Sequence, residues 1–154
     1  MPSALPPVRK EVVVRCRREL AFEVFTARMA EWWPLASHSV GGPETRSVTV
    51  EPREGGRLYE SRADGSEYLW GTVTRWDPPH GFDCTWHPGR EPSTAQSLSL
   101  RFHSAGEGTR VELEHRGWEA LAERAETTRS DYENGWDLVF GERFVAAAEV
   151  AART

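Results

Sequence analysis

Three things are scarce in this chain, and each scarcity closes off a class of function. Cysteine occurs only twice in 154 residues, at Cys16 and Cys84. The two form no CxxC or other ligand spacing, so they read as small buried residues of a reducing compartment, not as a disulfide framework or a zinc knuckle. Basic charge is also scarce: 19 Lys and Arg stand against 24 Asp and Glu, for a net charge of −5. A phosphate backbone or an anionic lipid surface needs clustered cations, so nucleic acid is not an expected partner. Long apolar runs are missing altogether. Nowhere do about 18 apolar residues follow one another, and the opening MPSALPPVRKEVVV lacks the charged start, apolar core and small-residue cleavage site of an export signal. No membrane insertion is expected, and the expected location is the cytoplasm.

Metal and phosphate chemistry lack their signatures too. The five histidines, His38, His80, His87, His103 and His115, make no HxH, HExxH or Cys-paired pattern, so no metal and no cofactor is expected. The glycine pairs Gly41-Gly42 and Gly55-Gly56 and the segment Gly106-Glu107-Gly108 precede no helix in the manner of a phosphate loop; they read as turns.

What the chain has in abundance is tryptophan: Trp32, Trp33, Trp70, Trp76, Trp86, Trp118 and Trp136, in a sequence only 38% hydrophobic. Each indole can bury about 150–250 Å², so a few large rings do the work of many aliphatic side chains. Rings of that size leave large gaps where they do not interlock.

The length fits one domain with its own core. Residues 1–10 carry three prolines and no periodicity and read as a flexible N-terminal segment or a lead into an edge strand; residues 11–154 form the domain. EVVVRC, from Glu11, is a strand by composition. Phe22, Phe25, Met29 and Trp32 then fall at helical spacing until Pro34, giving one helix, or two broken near Thr26 with Thr26 as a cap. Six strands follow, over 47–51, 57–62, 67–77, 82–87, 95–103 and 109–115, separated by short turns that imply antiparallel neighbours. Leu98, Leu100 and Phe102 share one face, as do Val111, Leu113 and His115, while Arg101, Arg110, Glu112 and Glu114 take the other. Ser130-Asp131-Tyr132-Glu133 has the form of a capping box, predicting a helix of about twenty residues with Tyr132, Trp136, Phe140, Phe144 and Ala148 as its apolar stripe. Gly135 and Gly141 sit inside that helix, each at a cost of up to about 1 kcal/mol against Ala, with close packing as one justification.

This order, with the phrases WWPLASHSVGG, PREGGRLYE, DGSEYLWGTVTRWDPPHGFDCTW, GEGTRVELEHRGWE and DYENGWDLVF, resembles the START-like (SRPBCC) superfamily, in the branch named for homology to the activator of the Hsp90 ATPase. The likeness runs from about Val12 to Val150. It implies an α+β helix-grip fold: a curved antiparallel sheet of about six or seven strands around a long C-terminal helix, two short helices near the N-terminus, and a hydrophobic tunnel between. It also implies apolar ligands such as lipids or polyketides, with some members acting as cyclases or in self-resistance to natural products. The activator's separate N-terminal chaperone-binding domain is not expected within these 154 residues.

The leading expectation is therefore a binder of an apolar, aromatic or polycyclic small molecule in an internal cavity, without an encoded catalytic centre. Its walls would be Trp32, Trp33, Trp70, Trp86, Leu100, Phe102, Trp118, Trp136 and Phe140, with His38 on a lid rim and Arg57, Tyr59 and His115 as polar anchors. On a helix Trp32 and Trp33 point about 100° apart, so one ring is expected in the core and the other toward the tunnel mouth. The alternative is a cyclase- or hydrolase-like enzyme, or a self-resistance protein, using the same cavity with His115 as acid or base; a further alternative is a chaperone-interacting protein. Ser37 beside His38 has no nucleophile elbow around it. Oligomeric state, a homodimer included, is left open.

Overall fold

The computed structural model describes residues 5–153; the expected flexible segment lies partly outside these residues, at positions 1–4. Its later part is ordered, because β1 (Val8–Val14) begins ahead of Glu11 and pairs along its whole length with the last strand, Val8 opposite His115 and Val14 opposite Thr109. Two short helices follow, α1 (Arg18–Phe25) and α2 (Met29–Trp32). Thr26 does not cap the second: its hydroxyl donates back to the Phe22 carbonyl at 2.7 Å and closes the end of the first. The remaining strands are β2 (Thr45–Val50), β3 (Arg57–Arg62), β4 (Glu67–Asp77), β5 (Gly81–Trp86), β6 (Gln96–Ala105) and β7 (Gly108–Arg116). They form one antiparallel seven-stranded sheet in the order β1-β7-β6-β5-β4-β3-β2.

β6 and β7 alternate strictly between buried and less buried positions, as a sheet covered on one face requires. β4 does not, and two irregularities explain why: its register shifts against β3 near Trp70 and against β5 near Thr74. Bulges of this kind bend a strand and increase its twist. Between them sits Gly71, where a Cβ would collide with the Thr85 carbonyl oxygen, so only glycine lets the two strands approach.

A 3-10 segment (Trp118–Arg124) leads into the gripped helix: α3 (Ala125–Leu138), a π-helical stretch (Val139–Phe144) and α4 (Val145–Ala152) follow without a break. The helix thus starts earlier than its apparent capping box. Ser130 lies inside it, its carbonyl accepting from Asn134 Nδ2, and Glu133 pairs with Arg129 at 2.8 Å instead of reaching back to cap. The π stretch accounts for the four-residue repeat of large rings. An α-helix turns about 100° per residue, so a strict repeat of four drifts about 40° per step, and Ala148 would end far round the helix from Tyr132. The wider π turn sets the later residues back. Trp136, Phe140, Phe144 and Ala148 all face the interior as a result, with the Phe140 and Phe144 rings stacked 5.6 Å apart.

Candidate functional site

The space between sheet and helix is filled by rings. At one end Phe22, Phe25, Phe82, Phe102, Phe140 and Phe144 meet with Trp32. At the other end Trp33, Trp70, Trp86 and Trp136 contact one another at centroid distances of 5.2–5.9 Å. Trp32 and Trp33 join the two groups, 5.8 Å apart. The expected internal tunnel is therefore closed over much of its length, because bulky rings interlock where smaller side chains would leave a void.

What remains is a cleft of about 480 Å³ at the tryptophan end, open to solvent. Helix α3 gives one wall through Tyr132, Gly135 and Trp136, continued by Val139 at the start of the π stretch; the loop after α2 gives His38, Ser39 and Val40 beside Trp33; Trp86 and the following Pro88-Gly89 close the third side. Trp86 Nε1 donates to the Tyr132 hydroxyl at 3.0 Å, so the phenol accepts on one side and keeps its own proton, for which no protein acceptor exists among the described residues. Burial pushes that phenol's pKa above its ordinary value, so it is a donor at neutral pH. Asp131 adds one carboxylate at the edge.

Of the residues expected to bind ligand, four line this cleft: Trp33, His38, Trp86 and Trp136. Trp32 lies in the core, its Nε1 donating to the Val24 carbonyl at 2.8 Å, whereas Trp33 turns to the cleft and donates to the His38 carbonyl at 2.9 Å. Trp70, Leu100, Phe102, Trp118 and Phe140 are fully buried and border other side chains. Arg57 and Tyr59 are not chamber anchors. Arg57 stands outside the sheet over the Tyr59 ring, paired with Glu51 and Glu67, because Leu58 and Glu60 occupy the inward phase of β3.

His115 also lies away from the cleft. It is fully buried, 4.1 Å from the Trp118 ring. Trp136 Nε1 can only donate, so at 3.1 Å it fixes His115 Nδ1 as acceptor; Nε2 then carries the proton and donates to Gln96 Oε1 at 3.2 Å. Burial pushes the ring's pKa down to about 3. A neutral ring with both nitrogens engaged orients Trp136 and has no proton to exchange near neutral pH, which removes the acid-base role expected from sequence.

Sequence reasoning passed over Glu60. Its carboxylate is fully buried on β3 and accepts from Trp70 Nε1 at 2.7 Å, Val40 N at 2.7 Å, Gly41 N at 2.8 Å and Thr45 Oγ1 at 3.0 Å. Burial alone would raise its pKa, but these four donors outweigh burial and hold it below the ordinary carboxylate value. One charge thus ties the cleft's rim at Val40 to the tryptophan floor. An acidic residue inside the inward phase of a strand, Leu58–Glu60, was the signal available in the sequence.

Ser37 Oγ and His38 Nδ1 do approach to 2.7 Å, but Ser37 is exposed outside the cleft and, among the described residues, no carboxylate pairs with the ring. Both cysteines are buried free thiols with pKa values raised by burial. Among the described residues no group of three His, Cys, Asp or Glu converges on a metal-sized site, and no helix is long and apolar enough to cross a membrane.

The family described as Activator of Hsp90 ATPase homolog 1-like protein matches residues 15–149. The chain belongs to that family. Within the START-like superfamily this AHSA1-like chain is similar to an anthrahydroquino-γ-pyrone synthase, Txn09, at 37% identity and a TM-score of 0.66, over 96% of this chain and 99% of that one. It is similar as well to CalC, a self-sacrificing resistance protein from Micromonospora echinospora, at 25% identity and a TM-score of 0.71, over 96% of each chain. DynU16, from the dynemicin biosynthetic locus, shares the fold at 16% identity and a TM-score of 0.69, with 98% of this chain covering 49% of that one. No curated protein matches the AHSA1-like sequence.

Proposed function

We propose that this AHSA1-like protein binds a flat polycyclic aromatic compound of polyketide type in the cleft between Trp33, Trp86 and Trp136. The observation that carries the reading is the lining itself. Three indoles and the Tyr132 ring border an open space of about 480 Å³, within the range of small-molecule sites, while most of the other large rings are packed against protein. Apolar walls with a few polar groups suit a fused ring system bearing oxygens: faces lie against indole, and a carbonyl can accept from the Tyr132 hydroxyl or from His38. The similarity to a synthase that makes an anthrahydroquino-γ-pyrone supports the same ligand class. Titration with an anthraquinone should quench tryptophan fluorescence saturably, and Trp136→Leu should lose most of that response. A flat titration in the wild-type protein, with calorimetry equally silent, refutes the proposal.

A second reading, ring closure of such a compound by proton transfer, rests on Tyr132 and His38 lining the same cleft. Tyr132→Phe keeps the ring and removes the proton. Under this reading the variant binds a polyketide-type substrate but no longer converts it; equal conversion by variant and wild type excludes it.

A further inference from the structure

Beside the ring cleft runs a second groove of about 870 Å³, and the two share Val40, Pro88 and Gly89 as a common ridge. The groove differs in character. Leu69 and Tyr68, both well exposed on β4 where the bulge breaks its alternation, form a shelf, with the Arg62 guanidinium 3.6 Å from the centre of the Tyr68 ring. The same groove is lined by Arg90, half-buried, and Arg124, exposed. Neither guanidinium has an ion-pair partner among the described residues, although the chain carries a net −5 and elsewhere pairs Arg57, Arg101 and Arg129 with carboxylates.

The position of Arg90 is built. His87 is buried, and its carbonyl accepts the Arg90 N–H at 2.9 Å while its Nδ1 donates to the Arg90 carbonyl at 3.2 Å, with Gly89 in the left-handed region at φ +73. Arg124 comes from the 3-10 segment, which packs against the turn Pro92–Thr94 on the same side. Burial raises the Tyr132 pKa, and the Trp86 hydrogen bond and the Arg90 charge only partly offset it. Glu91 is the one carboxylate on the groove wall, and His87 the other titratable group there besides Tyr68.

Building on the ring-cleft reading, we infer that this groove is a second subsite, taking a carboxylate-bearing arm of the same aromatic ligand on Arg90 and Arg124. A planar guanidinium fork matches a carboxylate with two parallel hydrogen bonds, and the shelf suits the arm's methylene chain. The ligand class is thereby narrowed to polycyclic aromatic acids.

The test compares an anthraquinone carrying a propionate arm with its methyl ester, by calorimetry, on wild type, on the Arg90→Gln/Arg124→Gln double variant and on Glu91→Gln. The acid should bind wild type about tenfold more tightly than the ester, as expected of a hydrogen bond between charged groups. That preference should shrink as salt is raised and vanish in the double variant, which binds acid and ester alike. Glu91→Gln should increase it. Equal binding of acid and ester to wild type overturns the subsite while leaving the ring cleft standing, as does a preference that survives in the double variant. Binding of neither compound overturns the ring-cleft reading and the subsite with it.

Discussion

Gly135 separates the needs of the helix from those of the cleft. It sits in the middle of α3, where glycine is worse than alanine by about 1 kcal/mol because it loses more backbone freedom on folding. Close packing does not demand it: a Cβ built at Gly135 meets no atom within 4 Å, and its backbone is helical. That Cβ would enter the cleft it lines. Gly135→Ala should therefore stabilise the fold by about 1 kcal/mol, raising Tm by about 2–4 °C in a domain of this size, measured by calorimetry. Gly135→Trp should leave Tm at or above the wild-type value yet reduce anthraquinone affinity by at least about tenfold, since an indole would occupy the space left for the ligand. The two effects run in opposite directions. A Gly135→Ala protein that melts lower would refute the claim that nothing abuts the residue. Unchanged affinity in Gly135→Trp would show that the ligand sits elsewhere.

Glu60→Ala should destabilise by at least about 3 kcal/mol in urea denaturation, because an indole N–H and two backbone N–H groups lose their acceptor inside the protein. It should also weaken ligand binding through a loosened Val40 rim; an unfolding free energy and affinity like wild type would contradict the role. His115 should show no imidazole titration by NMR between pH 5 and 8. Its folded pKa lies below its unfolded value of 6.5, so the stability it contributes is fully present above pH 6.5 and is lost as pH falls toward about 3, by up to about 1.4 kcal/mol per pH unit. Glu60, also depressed when folded, adds to this loss below the ordinary carboxylate range, and Glu60→Gln should flatten the acid limb of the stability curve. Trp118→Ala, by contrast, should cost about 3–5 kcal/mol in stability, and a variant that still folds should bind ligand, since Trp118 is fully buried against His115 and does not line the ring cleft.

Much of the fold is legible where one rule governs a whole element. The alternation of Leu98, Leu100 and Phe102 with Arg101, and of Val111, Leu113 and His115 with Glu112 and Glu114, follows from a sheet covered on one side, and the structure buries those residues accordingly. Short turns between them lead to antiparallel neighbours and hence to the seven-stranded order. The helix start was misplaced because Ser130 to Glu133 satisfies the capping pattern locally, while the chain before it is carried into helix by the buried Ala125 and Thr128. The ligand site was legible only in part. Trp33, His38, Trp86 and Trp136 stand out as large or polar side chains, but Gly135, Pro88 and Gly89 line the same cleft by being small or by turning the chain, and neither property distinguishes them from ordinary helix or turn residues.

By itself, then, the sequence determined the order of elements, the inward phase of the regular strands and membership in a family with a gripped helix, because each depends on periodicity within a segment or on motifs met in order. The tertiary structure alone decided which rings meet each other and which border open space. That outcome turns on the bulges in β4, the π stretch from Val139 to Phe144 and the Glu60 carboxylate holding a loop twenty residues away. Each joins residues distant in the chain, and no local pattern encodes the distance between them.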